Sequence, residues 1–293
     1  MIDRLLEMEQ GRVVNKHLFS VSSAILLALL SLPWGGRSVT AADLQTIRQR
    51  GYLVVAVKDN MRPLGYRNGA NQLQGLEIDI AQRLAEELLG RRDALKLQPV
   101  ANSDRLTAVL NDQVDLTIAR VTATKTRTRI VSFSAPYYMD GTALLTRSER
   151  VTRFADLVRQ PIAVLNGSAT IPTIRSLLPQ ANLVGVDSYQ AGLNLLESGQ
   201  AMSFAGDASV LSGWVQEFPQ YRLLSPLLSA EPLAVVMPKG LQYDSLRRQV
   251  NSAIDRWRKE GWLQQRAAYW GLPVDGLAAA TLEMETPAAP AVP

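Results

Sequence analysis

The sequence contains no cysteine and only one histidine, His17. Without thiols the chain can form no disulfide, use no cysteine nucleophile and bind no metal through thiolates. It also lacks the lipid-modified cysteine that tethers bacterial surface lipoproteins. Because His17 lies in the N-terminal segment, Ser-His catalysis, Cys-His catalysis and a His-rich metal site are excluded for the rest of the chain. We therefore predict neither a cofactor nor a metal.

Aromatic residues are few, and charges of both signs are scattered along the chain. Phe, Trp and Tyr make up 6% of the residues, and 31 Lys and Arg against 27 Asp and Glu leave a net charge of +4. This pattern argues against a nucleic-acid groove or a basic membrane-binding face. With 47% hydrophobic residues the composition is globular, and 293 residues suffice for two ordinary domains or one very large one.

Residues 1–42 have the features of an export signal. Basic residues, Arg12 and Lys16, precede an apolar run over residues 18–32, and small residues lead up to Ala41. The run is about 15 residues long, shorter than the roughly 20 that a membrane-spanning helix needs. We predict a signal peptide cleaved near Ala41 and a periplasmic protein, with an uncleaved membrane anchor as the alternative.

Strand-like and helix-like stretches alternate after this segment. A continuous β-prone run at residues 52–57 precedes an amphipathic helix at residues 76–89, and further strands and helices follow in turn. The alternation predicts an α/β fold with mostly parallel sheets, and a second set of such units begins near residue 146. Residues 58–71 are predicted to be loop. Residues 273–293, rich in Ala, Pro and Thr without periodicity, are predicted to be a disordered tail.

One strand and the loop after it indicate a site for a small anion. Residues 115–138 read DLTIARVTATKTRTRIVSFSAPYY, in which an apolar strand runs into a loop rich in hydroxyl and guanidinium groups. Loops that follow the strands of α/β domains commonly carry binding sites, and guanidinium groups pair with carboxylates. We expect Arg127 to be the main donor to a ligand carboxylate.

Several motifs stand in the order in which a known family has them. They are GYLVVAV at residues 51–57, GLEIDIA at 75–81, TATKTR at 122–127, FSAPYY at 133–138, LNGS at 165–168 and AGD at 205–207. In these motifs the chain resembles the extracytoplasmic solute-binding proteins of polar amino-acid ABC importers. The resemblance extends over about residues 44–272.

This resemblance implies a type II periplasmic-binding fold, in which two lobes enclose a ligand cleft and are joined by two crossings. Lobe one would combine residues 43–140 with residues 233–272, and lobe two would hold residues 144–228. The implied protein is a monomeric receptor. It captures an amino acid by lobe closure and delivers it to an ABC permease in the inner membrane, without binding nucleic acid.

The resemblance also assigns roles to particular residues. Arg127 would hold the ligand α-carboxylate in a bidentate pair, and Thr122 would add a hydroxyl group. Asp207 would accept hydrogen bonds from the α-amine, and capping of the following helix is its alternative role. Gly167 and Ser168, at the start of a helix, would offer backbone N–H groups to the carboxylate, an ordinary turn being the alternative.

Two departures from the family pattern concern the ligand side chain. Lys58 stands where relatives that bind basic amino acids have an acidic residue, and Arg120 stands where they have a small hydroxyl residue. Two further cations would repel a basic ligand and attract a side-chain carboxylate, which predicts an acidic ligand, glutamate or aspartate. The alternative is that Lys58 faces solvent and that Arg120 pairs with an aspartate: Asp115, Asp140 or Asp207.

Two other functions stay open at this point. An enzyme on the same fold, like the cyclohexadienyl dehydratase relatives, would use a cleft carboxylate as acid or base. Glu231 is the nearest candidate, although nothing in the sequence partners it. A membrane-tethered sensor would result if residues 18–32 were not cleaved.

Overall fold

The computed structural model describes residues 43–274, and its first sheet has five strands. They are β1 (Leu53–Val57), β5 (Leu95–Pro99), β6 (Leu116–Ile118), β7 (Ser132–Asp140) and β13 (Glu231–Met237). Their order across the sheet is β5-β1-β6-β13-β7, and only β13 runs against the others. All five residues of β1 are buried, as expected for a strand covered on both faces.

Five helices accompany the first sheet. They are α1 (Leu44–Arg50), α2 (Leu76–Leu89), α3 (Asp104–Leu110), α7 (Asp244–Lys259) and α8 (Trp262–Tyr269). The Asp43 carboxylate caps α1 by accepting a 2.8 Å hydrogen bond from the Thr46 N–H, and Gly51 ends the helix in the left-handed conformation, φ 77°. One face of α7 is apolar, because its buried residues Leu246, Val250, Ile254 and Trp257 recur every three to four positions.

The second sheet also has five strands. They are β8 (Thr142–Thr146), β9 (Pro161–Leu165), β10 (Asn182–Val186), β11 (Ser203–Asp207) and β12 (Arg222–Leu224), in the order β10-β9-β11-β8-β12. Here β8 alone runs against its neighbours. The helices α4 (Thr170–Leu177), α5 (Tyr189–Glu197) and α6 (Ala208–Glu217) belong to this part of the chain. Two apolar clusters, one around Phe204 and one around Ile162, pack with this sheet.

Some strands depart from the sequence prediction. The loop prediction for residues 58–71 is wrong, because β2 (Asn60–Met61) and β3 (Gly65–Arg67) lie there and form a small antiparallel sheet with β4 (Leu73–Gln74). The nine-residue strand β7 was not predicted either, since Pro136 interrupts it. β7 lies at the edge of its sheet, where a missing N–H costs little, and its pairing with β13 is irregular nearby.

The chain passes between the two sheets at two places. Asp140 ends β7 and Thr142 begins β8, so the first crossing is Gly141. The second crossing lies within residues 225–230, between β12 and β13. A Cβ atom on Gly141 would overlap the Ser229 carbonyl oxygen, so the two crossings are in van der Waals contact. We propose that each sheet forms the core of one lobe, with boundaries at these crossings.

The predicted signal peptide and most of the predicted tail lie outside the described residues. Pro273 and Val274, which were assigned to the predicted tail, pack with the first sheet instead. The Tyr138 hydroxyl donates a 3.1 Å hydrogen bond to the Pro273 carbonyl oxygen, and Val274 packs against the main apolar cluster. Within residues 43–274, the structure contains no helix with the length and hydrophobicity that crossing a membrane requires.

Candidate ligand-binding site

A polar cavity of about 300 Å³ lies where loops from both sheets meet. From the first sheet and its helices it is lined by Arg105, Arg120, Thr122, Arg127 and Glu231. From the second it is lined by Leu165, Asn166, Gly167, Ser168, Ala169, Tyr189, Ala205, Gly206 and Asp207. Most of these residues lie at or just after the carboxyl ends of β6, β9 and β11, where ligands of open α/β sheets bind. Six of the seven residues proposed from the sequence, all except Lys58, line the cavity together with residues that were not proposed.

The loop after β6 is held in place by hydrogen bonds to neighbouring elements. Thr122 forms an isolated β-bridge with Leu233, and the Ala123 N–H donates to the Pro232 carbonyl oxygen at 2.9 Å. The Nη1 atom of Arg127 donates to the Thr122 carbonyl oxygen at 2.9 Å. Arg127 has no carboxylate partner in the described part of the chain, so most of its donor groups are available to a ligand.

Arg120 connects the two sheets. Its Nη2 atom lies 2.5 Å from Asp207 Oδ2, and its Nε atom lies 3.3 Å from Asp140 Oδ2 and 3.2 Å from Ser209 Oγ. Its backbone has a positive φ of 50° and donates to the buried Glu77 carboxylate at 2.6 Å. Burial alone would lower the pKa of this guanidinium, but the two aspartates outweigh burial and raise it. The alternative stated above, pairing with an aspartate, is therefore what the structure contains.

Asp207 ends β11 and occupies the N-cap position of α6, but its side chain makes no capping hydrogen bond. Asp140 caps this helix instead. Its Oδ1 accepts from the Ser209 N–H at 2.9 Å, and its Oδ2 accepts from the Ser209 hydroxyl at 2.6 Å. Burial raises the pKa of Asp207, and the attraction of Arg120 only partly offsets this effect. The Asp207 carboxylate is thus free of helix capping and lies at the cavity wall.

Gly167 and Ser168 form the turn between β9 and α4. Gly167 adopts a left-handed conformation, φ 70°, and the Ser168 Oγ accepts a 3.1 Å hydrogen bond from the Thr170 N–H. Asn166 beside them donates from Nδ2 to Asp187 Oδ1 at 2.8 Å. This turn places Gly167 and Ser168 on the cavity wall, across from the loop that carries Arg127.

Lys58 is not among the cavity-lining residues. It is 4% exposed, and its Nζ atom donates to the Val100 carbonyl oxygen at 2.7 Å. Burial lowers its pKa, and the nearby Arg105 guanidinium lowers it further. The structure therefore corrects both views of Lys58, because the side chain neither reaches the cavity nor faces solvent.

Of the lining residues that were not proposed as ligand-binding from the sequence, three have a charged or aromatic side chain. Arg105, in α3, donates from Nη1 to the Arg120 carbonyl oxygen at 2.6 Å, and no carboxylate among residues 43–274 pairs with it. Tyr189 begins α5 and packs with Phe204, and burial raises its pKa to about 12. Glu231, the first residue of β13, was considered only as an acid for an enzyme. A local motif search misses these residues because sheet order, not sequence proximity, brings them to the cavity.

The charges of the cavity are separated into two regions. Arg105 and Arg127 are close enough for the second guanidinium to lower the pKa of the first, after burial and Arg120. Asp207 and Glu231 are likewise neighbours, and Asp207 raises the pKa of Glu231 after burial. Arg120 lies between the two groups. The cavity therefore offers a cationic region and an anionic region to one small molecule.

Two α/β sheets joined by two crossings, with a polar cavity where their loops meet, define a two-lobed binding protein. The chain belongs to the bacterial extracellular solute-binding proteins, family 3, whose sequence model matches residues 53–273. This match confirms the family resemblance and the fold that it implied.

Similar proteins bind different amino acids. A glutamine-binding protein of Geobacillus stearothermophilus is 30% identical over 195 residues, which are 66% of this chain and 74% of the relative. A glutamate-binding protein of Corynebacterium efficiens is 25% identical over 260 residues, covering 85% and 88%. The structure of an ancestral cationic amino-acid solute-binding protein, 24% identical, has a TM-score of 0.67 and covers 78% of this chain and 99% of its own. These names span neutral, acidic and cationic side chains, so the cavity itself must indicate the ligand.

Proposed function

We propose that this protein captures an α-amino acid by closure of its two lobes and delivers it to an ABC permease in the inner membrane. The separation of cationic and anionic regions in the cavity carries this proposal. An amino acid is a zwitterion, and its carboxylate and ammonium groups match the two regions in sign and order. The membership of the family supports delivery to a permease.

The carboxylate would be bound by groups from both sheets. Arg127 supplies a planar fork of donors with no competing carboxylate from residues 43–274, and Thr122 lies near it on the same loop. The Gly167 and Ser168 turn lines the cavity from the other sheet. The Ser168 N–H already donates to the Leu165 carbonyl oxygen at 3.1 Å, so the Gly167 N–H and the Ser168 hydroxyl group would be the donors to the ligand. Asp207 would accept from the ammonium group. Because these groups come from both sheets, a bound amino acid would hold the lobes together.

The side chain of the ligand is proposed to be acidic, with glutamate first. Lys58 does not support this proposal, and the guanidinium of Arg120 is already paired with aspartates. Arg105 takes over their role, because it is a cavity cation without a carboxylate partner among the described residues. Glutamine is the second candidate, because a relative 30% identical is named for it and a guanidinium also pairs with an amide oxygen.

Titration calorimetry of the purified protein with each of the twenty L-amino acids tests the proposal. Tight binding of one or a few, without turnover, is expected. Arg127→Ala is expected to weaken that binding by about 100-fold or more, because a bidentate charge-assisted pair is lost. Arg129→Ala is the matched control, since Arg129 is exposed on the same loop. Unchanged affinity in Arg127→Ala would refute Arg127 as the anchor, and no binding by any amino acid would refute the function.

A dehydratase is the second candidate function, favoured by the raised pKa of Glu231 in the cavity. Burial raises this pKa first, and Asp207 and Asp140 add to it. Incubation with prephenate or arogenate distinguishes the two functions. If the protein consumes either compound and the Glu231→Gln variant does not, the function is enzymatic and the proposed receptor function is refuted.

We also propose that the protein is exported and works as a monomer in the periplasm. N-terminal sequencing of the exported protein is expected to begin just after Ala41. An intact N-terminus in the membrane fraction would instead favour the tethered sensor. Light scattering with and without the bound amino acid measures the oligomeric state.

A further inference from the structure

Glu231 stands at the junction of the two sheets. It is the first residue of β13, directly after the second crossing, and its Cα is paired in register with that of Asp140, directly before the first crossing. Its side chain is half-buried and lines the cavity. A carboxylate at this position touches the ligand space where both lobes meet, and no family motif used above includes it.

Glu231 is the cavity's one charged residue whose side chain has no hydrogen bond or ion pair to any residue in the range 43–274. The other charged lining residues all have a partner. Arg105 and Arg127 donate to backbone carbonyl oxygens, and Arg120 pairs with Asp207. An unpartnered carboxylate in a cavity loses hydration without compensation, so it favours a cationic or hydrogen-bond-donating ligand.

The charges around Glu231 also favour a cationic ligand group. Three carboxylates, those of Asp140, Asp207 and Glu231, face the single guanidinium of Arg120. Arg120 is already bound to the first two, at 3.3 Å and 2.5 Å. This corner of the cavity therefore keeps an excess of negative charge. No cation from the described residues contacts Glu231, so a ligand cation can pair with it.

An ammonium group in this corner has more donors than Asp207 alone can accept. It has three N–H donors, and Asp207 Oδ2 already accepts from Arg120. Asp207 alone therefore leaves at least one ammonium donor to be satisfied elsewhere. We propose that Glu231 is a second acceptor for the ligand α-ammonium, and that Asp207 and Glu231 bind that group together. The proposal rests on the amino-acid-binding function above.

The test separates recognition of the ammonium from a general effect on the site. The probes are L-glutamate with glutarate, which lacks only the α-ammonium, and L-glutamine with glutaramate, which lacks the same group. Glu231→Gln keeps the shape of the side chain and removes its charge. Glu149→Gln is the control, because Glu149 is an exposed acid without a charged partner among the described residues.

Glu231→Gln is expected to weaken binding of the amino acid by about 10- to 100-fold, the loss of one charge-assisted contact. Binding of the matching des-amino analogue is expected to change less than about threefold, so the preference for the ammonium group shrinks by the same factor. Glu149→Gln is expected to leave both affinities unchanged. Thermal unfolding of each variant reports whether it is folded, and Glu231→Asp, which restores the charge, is expected to regain part of the preference.

Two results would overturn the proposal while leaving the function intact. One is unchanged amino-acid affinity in Glu231→Gln. The other is an equal loss for the amino acid and its des-amino analogue, which would assign Glu231 a structural role at the crossing. If the unmodified protein binds none of the twenty L-amino acids, the proposed function fails first, and the role of Glu231 fails with it; if it binds an amino acid other than L-glutamate and L-glutamine, that amino acid and its des-amino analogue are the probes.

Discussion

Replacing Arg120 by methionine tests whether this side chain stabilises the contact between the two sheets. Methionine keeps the apolar stem and removes the guanidinium, which contacts Asp140, Asp207 and Ser209. The Arg120 side chain is 17% exposed, that of Asp140 is 1% exposed and that of Asp207 is 24% exposed. The substitution therefore leaves one fully buried and one mostly buried carboxylate without their shared cation.

The expected loss follows from the burial of Asp140. Removing one partner of a buried ion pair costs about 3–5 kcal/mol, because the other charge stays buried without compensation. Asp140 retains its two hydrogen bonds from Ser209, so the lower half of this range applies, about 3–4 kcal/mol. Asp207 adds little to this loss of folding free energy, because water reaches its side chain. For a domain of this size, 1 kcal/mol lowers Tm by roughly 2–4 °C, so Tm should fall by about 6 to 16 °C.

Circular dichroism during heating, without added amino acid, measures this change. Arg129→Met is the matched control, because Arg129 is exposed on the same loop, and its Tm should move by less than about 2 °C. Adding Asp207→Asn to Arg120→Met should recover only a small part of the loss, because Asp207 is partly exposed and the buried Asp140 carries most of the cost. A loss below about 1 kcal/mol in Arg120→Met, or one equal to that of the control, would refute the argument.

Three further outcomes are expected. Arg105→Ala should weaken L-glutamate binding by about tenfold more than L-glutamine binding, because a hydrogen bond between two charged groups is stronger than one to a neutral group. Equal losses measured by calorimetry would leave Arg105 without a role in specificity. Burial raises the pKa of the buried Glu77 and of the cavity residues Asp207 and Glu231, so as the pH falls from neutral toward these pKa values and the two cavity carboxylates protonate, amino-acid affinity should decrease. Over the same interval the unliganded protein should gain stability from these groups, because an acid with a raised folded-state pKa costs stability when it ionises; affinity and Tm falling together would contradict this. Gly141→Ala should lower the free energy of unfolding, measured with urea, by roughly 2 kcal/mol or more, because its Cβ would overlap the Ser229 carbonyl oxygen. The control Gly69→Ala, at a position with open space around it, should lower it by less than about 1 kcal/mol.

Local sequence patterns predicted most of the helices because each helix carries its own signals. The helix Leu76–Leu89 was predicted with its bounds, since its apolar stripe repeats every three to four residues and Gly90 follows it. The small sheet of β2, β3 and β4 carries no comparable signal. Its strands have two or three residues each, so turn-forming residues dominate the local pattern.

Lys58 shows where motif comparison fails. It directly follows β1, a strand buried along its whole length, so the alternation of faces does not indicate the direction of the next side chain. The structure turns its ammonium to the Val100 carbonyl oxygen, at the end of the neighbouring strand β5. The direction depends on which strand lies beside β1, and that pairing joins residues about forty positions apart in sequence.

The same dependence on sheet order explains why Arg105 and Glu231 were missed as binding residues. Glu231 reaches the cavity because β13 inserts between β6 and β7, and Arg105 reaches it because α3 precedes β6. Arg120 was found from the motif, but its charge is used within the protein by Asp140 and Asp207. An ion-paired guanidinium attracts a further carboxylate less than an unpaired one. In the proposed site, the motif residues and Glu231 would bind the groups that all α-amino acids share, and Arg105, which sheet order brings to the cavity, would act on the ligand side chain. Substitution of Arg105 should accordingly change which amino acid is bound, whereas substitution of Arg127 or Glu231 should weaken every amino acid alike.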